Sequence, residues 1–106
     1  MSKLPKRFTS FVETYPVIGS AYSEMSLAVA SAGPLDEKTR CLIKLGISIG
    51  AGMEGATHSQ ARKALEAGAT AEELRHAALQ ALTTIGFPSM MRGYAWVEDV
   101  IAKTEG

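Results

Sequence analysis

A single cysteine, Cys41, stands in the 106-residue chain. An intrachain disulfide needs two, so the fold owes nothing to disulfides and holds no two-thiol redox couple. Charge of one sign is also lacking, since eleven Lys and Arg cancel eleven Asp and Glu. A protein that grips nucleic acid or an anionic membrane shows a basic excess or patch. Here only the short opening MSKLPKRF is basic, so neither partner is expected. No stretch reaches the ~18 apolar residues that cross a bilayer. No apolar run follows the early lysines as it would in a signal peptide, and a cytoplasmic location is the expectation. Strand-like alternation, internal repeats and low-complexity segments are missing as well. Two histidines without a cysteine cluster make no metal signature. The stretch GISIGAG lacks both the lysine and the preceding strand of a phosphate loop. No metal and no cofactor is expected.

What is present reads as helix. Pro5 and Pro16 flank a short amphipathic piece with Phe8, Phe11 and Val12 apolar. Pro16 suits the first position of a second helix, which sets Ile18, Tyr22, Met25 and Val29 on one side and stops at Gly33-Pro34. Asp36 is placed to cap a third helix, with Glu37 favourable in its first turn. From Cys41 to Gly52 that segment is apolar almost all round, which predicts burial on most sides. Gly46, Ser48, Gly50, Ala51 and Gly52 lie between its bulky residues. Each helical glycine costs about 1 kcal/mol relative to alanine, and close approach of another backbone or a ligand would compensate.

A fourth helix spans roughly Glu54 to Ala67, with Gly68 suited to the position beyond its end. Thr70 and Glu73 form a capping box. The helix they open is predicted to carry Leu74, Ala77, Ala78, Ala81, Leu82 and Ile85 as one stripe. Gly86 and Pro88 end it. A last helix aligns Met90, Tyr94, Val97 and Ile101, with Trp96 and Val100 beside them. The expectation is an all-α domain of five or six helices over residues 1–106. A core of this size buries only about two-thirds of the unfolded surface, and such chains often gain further burial by self-association.

The stretch from Leu35 to Leu82, with KALEAGATAEEL as its most recognisable phrase, resembles the core of the carboxymuconolactone decarboxylase family, which includes the AhpD-like alkylhydroperoxidases. The similarity runs from about Leu35 to Val100. TTIGFP and the later Trp96 resemble one branch of it. The resemblance implies an all-α, AhpD-like fold that assembles as trimers or hexamers, with sites near subunit contacts. The peroxidase branch carries a glutamate, a CxxC and a histidine. Aligned through ARKALEAG, those positions hold Cys41, Met53, Ala56 and Gln60. Thiol peroxidation needs a reactive thiolate and a resolving thiol, and methionine and alanine supply neither. The chain therefore resembles a branch without CxxC. The decarboxylase branch also lacks CxxC and retains a glutamate and a histidine in this helix.

Glu54 and His58 are the candidate catalytic pair. They lie four apart, so their side chains share one helix face, and a carboxylate beside an imidazole suits acid–base work on a carbonyl compound. The resemblance supports a lactone or other carbonyl substrate, with Gln60 and Trp96 helping to line the pocket. The bland readings stand beside these. Glu54 in a first turn favours the helix dipole whatever its function. Gln60 reads equally as a surface or interface amide, His76 as solvated, Arg62 and Lys63 as a solvated face, and Cys41 as a small buried hydrophobe. Two alternatives to an enzyme follow. One is a non-catalytic oligomer that binds a ligand or partner. The weaker is an antioxidant protein using only Cys41, disfavoured by the loss of CxxC.

Overall fold

The computed structural model describes residues 5–105; the first four residues of the basic opening lie outside them. The described chain is all-α, with six helices of nine residues or more and one four-residue helical turn. The chain groups into two compact units that meet in sequence between Leu35 and Asp36.

The first unit is a helical hairpin of α1 (Lys6–Thr14) and α2 (Pro16–Ala30). Pro16 stands at the start of α2, where its fixed φ is pre-set for a helix. Gly19 lets the two helices touch: a Cβ there would lie 2.7 Å from Val12 Cγ1. Phe8 and Tyr22 meet edge to face across the pair, with ring centroids 6.1 Å apart. Ile18, Tyr22, Met25 and Val29 are exposed. Helix α2 ends at Ala30, before Gly33-Pro34 is reached.

The second unit holds α3 (Glu37–Gly50), α4 (Glu54–Glu66), α5 (Ala71–Leu79), α6 (Leu82–Ile85) and α7 (Phe87–Glu105). Its starts and stops follow local chemistry. The Asp36 carboxylate accepts the Thr39 N–H at 2.9 Å, and hydrogen bonding from the Thr39 side chain and backbone holds its pKa below the ordinary value. Gly52, at φ 70°, turns the chain from α3 into α4, and Gly68, at φ 101°, ends α4. Thr70 and Glu73 cap each other's backbone N–H groups at 3.0 and 2.9 Å.

The core lies where α3, α4, α5 and α7 converge: Leu45 and Ile49, Ala61 and Ala64, Leu74 and Ala78, Val97, Val100 and Ile101. The alanines of α4 and α5 allow close helix approach, and the larger residues of α3 and α7 fill the space between. At Gly93 of α7 the packing leaves no room for a side chain, because a Cβ would run into buried Ile49. Charged pairs tie the periphery. Arg75 donates from Nε to Glu98 Oε2 at 2.6 Å and from Nη2 to Oε1 at 3.2 Å, joining α5 to α7. Lys38 Nζ reaches Glu73 Oε2 at 3.1 Å, joining α3 to α5.

Three expectations are corrected. The stripe from Leu74 to Ile85 does not form one helix: α5 ends at Leu79. The N–H groups of Gln80 and Ala81 bond three residues back, to Ala77 and Ala78, which tightens the chain out of the α-helix. Leu82 and Ile85 are consequently exposed. Helix α3 is not buried on most sides either. Only Leu45, Ser48 and Ile49 are enclosed, while Ile47 on the far side is 65% exposed. Finally, of the two compensations expected for the small residues of α3, another backbone or a ligand, the first is not met at Gly46 or Gly50, where a Cβ would meet nothing within 4 Å.

Candidate active site

The site is built on a seam where α4 and α7 run in the same direction. The guanidinium of Arg92 lies against Gly52, where a Cβ would stand 2.8 Å from Nη2. Further along, His58 Nε2 is 3.2 Å from Asp99 Oδ2. Beyond that pair, Arg62 and Lys103 line one cleft. On α7 the residues Arg92, Trp96, Asp99 and Lys103 follow at i, i+4, i+7 and i+11, which is one face of a helix.

Glycine at position 52 serves two needs, a left-handed φ and room for a guanidinium. Helix α4 is then anchored by buried polar groups. Thr57 is fully buried, with Oγ1 at 2.8 Å from the Met53 carbonyl and 3.1 Å from Ser48 Oγ. Ser48 in turn donates to the Leu45 carbonyl at 2.8 Å. These bonds pin the first turn of α4 to α3, and His58 is the next residue along.

His58 and Asp99 occupy positions 41 apart in sequence. Their side chains are 26% and 57% exposed. An ion pair that open is worth about 1 kcal/mol at most, so the fold does not depend on it. Its chemical effect is larger than its energy. An ionised carboxylate only accepts, so a hydrogen bond between the two requires the proton on Nε2. In the neutral ring Nδ1 then carries the basic lone pair, and it has no hydrogen-bond partner among the described residues. The pair opens on a cleft of about 70 Å³ lined by His58, Arg62, Asp99, Val100, Lys103 and Thr104.

The sequence candidates fall in different places. His58 stands in the cleft. Glu54 is exposed in the first turn of α4 and makes no hydrogen bond or ion pair with His58; the carboxylate that His58 meets is Asp99 of α7. Trp96 is half-buried one turn before Asp99 and carries the Arg92 guanidinium over its ring, 5.5 Å from the centroid. Gln60 lies two residues from His58, about 200° round the helix and so on another side of α4. Its Oε1 is buried without a hydrogen-bond partner among the described residues. His76 is exposed. Cys41 is half-buried, and burial, with the Glu37 carboxylate adding to it, pushes its thiol pKa up.

Asp99, Arg62 and Lys103 were not singled out by sequence as one site with His58. The signal that could have found Asp99 and Lys103 is the stripe from Arg92 to Lys103 on an otherwise core-facing helix, and Arg62 follows His58 by one turn of α4. A second groove of about 170 Å³ is lined by Gly46, Ile49, Gly50, Ala77, Gln80, Ala81, Thr84 and Ile85. Its lining is mostly apolar and offers no titratable group. Among the described residues no cluster of three His, Cys, Asp or Glu could hold a metal ion, and no helix is long and apolar enough to cross a membrane.

The family model for the carboxymuconolactone decarboxylase family matches residues 16–99, and the chain belongs to that family. A crystal structure of the apo form of a carboxymuconolactone decarboxylase family protein from Legionella pneumophila shares the fold. Its TM-score is 0.80 at 24% identity, covering 91% of this chain and 86% of that one. No curated protein matches the chain.

Proposed function

We propose that this chain is a small-molecule enzyme that performs acid–base chemistry on a lactone or another carbonyl compound, with His58 moving the proton. The observation that carries the reading is the His58–Asp99 pair at 3.2 Å on the wall of a cleft. In this mechanism Nδ1 takes a proton from carbon or oxygen beside the substrate carbonyl and returns it later in the reaction. Asp99 holds the ring by Nε2 and offsets the positive charge that forms on it. Trp96 flanks the cleft from the same face of α7. Glu54 supplies a second carboxylate one turn from His58, without orienting it. The reading includes a cytoplasmic homo-oligomer, trimer or hexamer, and no nucleic-acid or membrane partner.

The test is turnover of a panel of lactones and β-oxo acids by wild type and His58→Ala. Loss of a general base costs about 10²–10⁴-fold. Turnover that survives His58→Ala intact would overturn the assignment.

A second reading, a non-catalytic oligomer that binds a ligand or partner, draws on a different observation. The buried, unpartnered Gln60 Oε1 and the exposed Ile43 and Ile47 of α3 are groups that an added surface would satisfy. The antioxidant reading through Cys41 is the weakest, because a thiol whose pKa is raised presents little thiolate.

A further inference from the structure

The cleft beside His58 has a charge character that the acid–base reading does not use. Arg62 on α4 and Lys103 on α7 both line it, and neither has an ion pair among the described residues. Asp99 is the one acid in that lining, and its carboxylate is engaged by His58. Two cations against one committed carboxylate leave the cleft with a net positive charge whether His58 is neutral or protonated. A guanidinium fork and an ammonium at one cleft are groups that hold a carboxylate or phosphate. Size narrows the ligand further. An apolar cavity of about 150 Å³ encloses benzene, and this open cleft, at about 70 Å³, encloses a charged headgroup rather than the whole ligand.

We propose that Arg62 and Lys103 form an anion subsite that holds a carboxylate or phosphate group of the ligand, and so present the adjoining atoms of that ligand to Nδ1 of His58. This rests on the reading of the cleft as the active site, and it adds the substrate class: a small anion, with the charged group bound at the Arg62–Lys103 end and the reacting carbonyl toward His58. The remainder of the ligand projects past Thr104 and Val100 into solvent or against another surface. Arg62 and Lys103 act here as binding residues and take no part in proton transfer.

The experiment is a titration of the full chain with succinate and, separately, with inorganic phosphate, at ionic strength held constant with chloride and followed by the NMR shifts of the His58 ring and the Arg62 Nε–H. Saturable shifts at both residues are expected. The tighter of the two probes identifies the headgroup. Arg62→Gln or Lys103→Gln should each weaken binding about tenfold, the cost of one charge-assisted hydrogen bond. Lys63→Gln, which removes an exposed charge outside the cleft, should leave binding unchanged. Shifts that do not saturate, or an equal loss in Lys63→Gln, would overturn the subsite. His58→Gln separates the two readings. Retained probe binding with lost turnover supports both, retained binding with retained turnover sinks only the acid–base role, and normal turnover with no probe binding in wild type sinks only the anion site.

Discussion

His58 on α4 and Asp99 on α7 meet at 3.2 Å, although 41 positions separate them in sequence. The contact is possible because α4 and α7 advance together, from Gly52 against Arg92, through His58 and Asp99, to the cleft shared by Arg62 and Lys103. A pair this exposed adds little stability. Asp99→Asn should therefore shift the unfolding midpoint by no more than about 1 kcal/mol equivalent while reducing turnover. Denaturant unfolding beside a rate assay checks both halves.

Thr57→Val preserves shape and removes a buried hydroxyl that sits between Met53 and Ser48. A loss of about 1 kcal/mol in unfolding free energy is expected. The effect should also reach the site, since Thr57 fixes the turn that carries His58. Broadened His58 signals in the variant would show it; an unchanged His58 environment would show that the anchoring does not extend to that residue.

Gly93→Ala sets two effects against each other. Alanine gains up to about 1 kcal/mol of helix propensity, but its Cβ enters the space of Ile49, a stiff β-branched side chain fully enclosed in the core. Overpacking costs about 1–3 kcal/mol, so net destabilisation is expected in thermal unfolding. Gly93→Ala with Ile49→Ala, which removes the Cγ atoms that the new Cβ would strike, should be less destabilised than the sum of the two single variants, and a stabilised Gly93→Ala variant would contradict the packing described.

The Arg75 guanidinium beside Glu98 holds that carboxyl below its usual pKa, and the Thr70 N–H with Lys38 does the same for Glu73. Depressed carboxylate values stabilise the fold at pH above the unfolded value, about 4.3 for glutamate, and that stability is lost as pH falls through the folded values. Stability should be flat near neutrality and decline below about pH 4. Arg75→Gln should flatten the acid decline, as followed by helical circular dichroism against pH.

The burial that raises the Cys41 pKa predicts slow alkylation by iodoacetamide at pH 7 and full reaction after unfolding. Peroxide consumption, if any is measured, should be unaffected by Cys41→Ser. Fast native-state alkylation would contradict the environment described.

Local signals carried most of the fold into the sequence. The Asp36 cap, the Thr70–Glu73 box, the Pro16 start and the Gly68 stop each depend on residues within one turn, and each is found where local chemistry puts it. The helix expected to run from Thr70 to Ile85 failed because apolar spacing continues through the break after Leu79 while the backbone tightens there. At the site, His58 was legible as a polar residue of α4. Its partner was not, because the neighbour at i−4, Glu54, is the carboxylate that spacing alone can nominate. Asp99 becomes a neighbour only through the register of α4 on α7. The same register separates Gln60 from the cleft, since two residues along a helix reverse the direction of a side chain.

The most direct test of the account is the tautomer of the neutral His58 ring, read from its ¹⁵N shifts in wild type and in Asp99→Asn. The proton is expected on Nε2 in wild type, with Nδ1 free to act as the base. Replacement of Asp99 should relax that preference. A proton on Nδ1 in the wild-type protein, or a tautomer indifferent to Asp99, would contradict it.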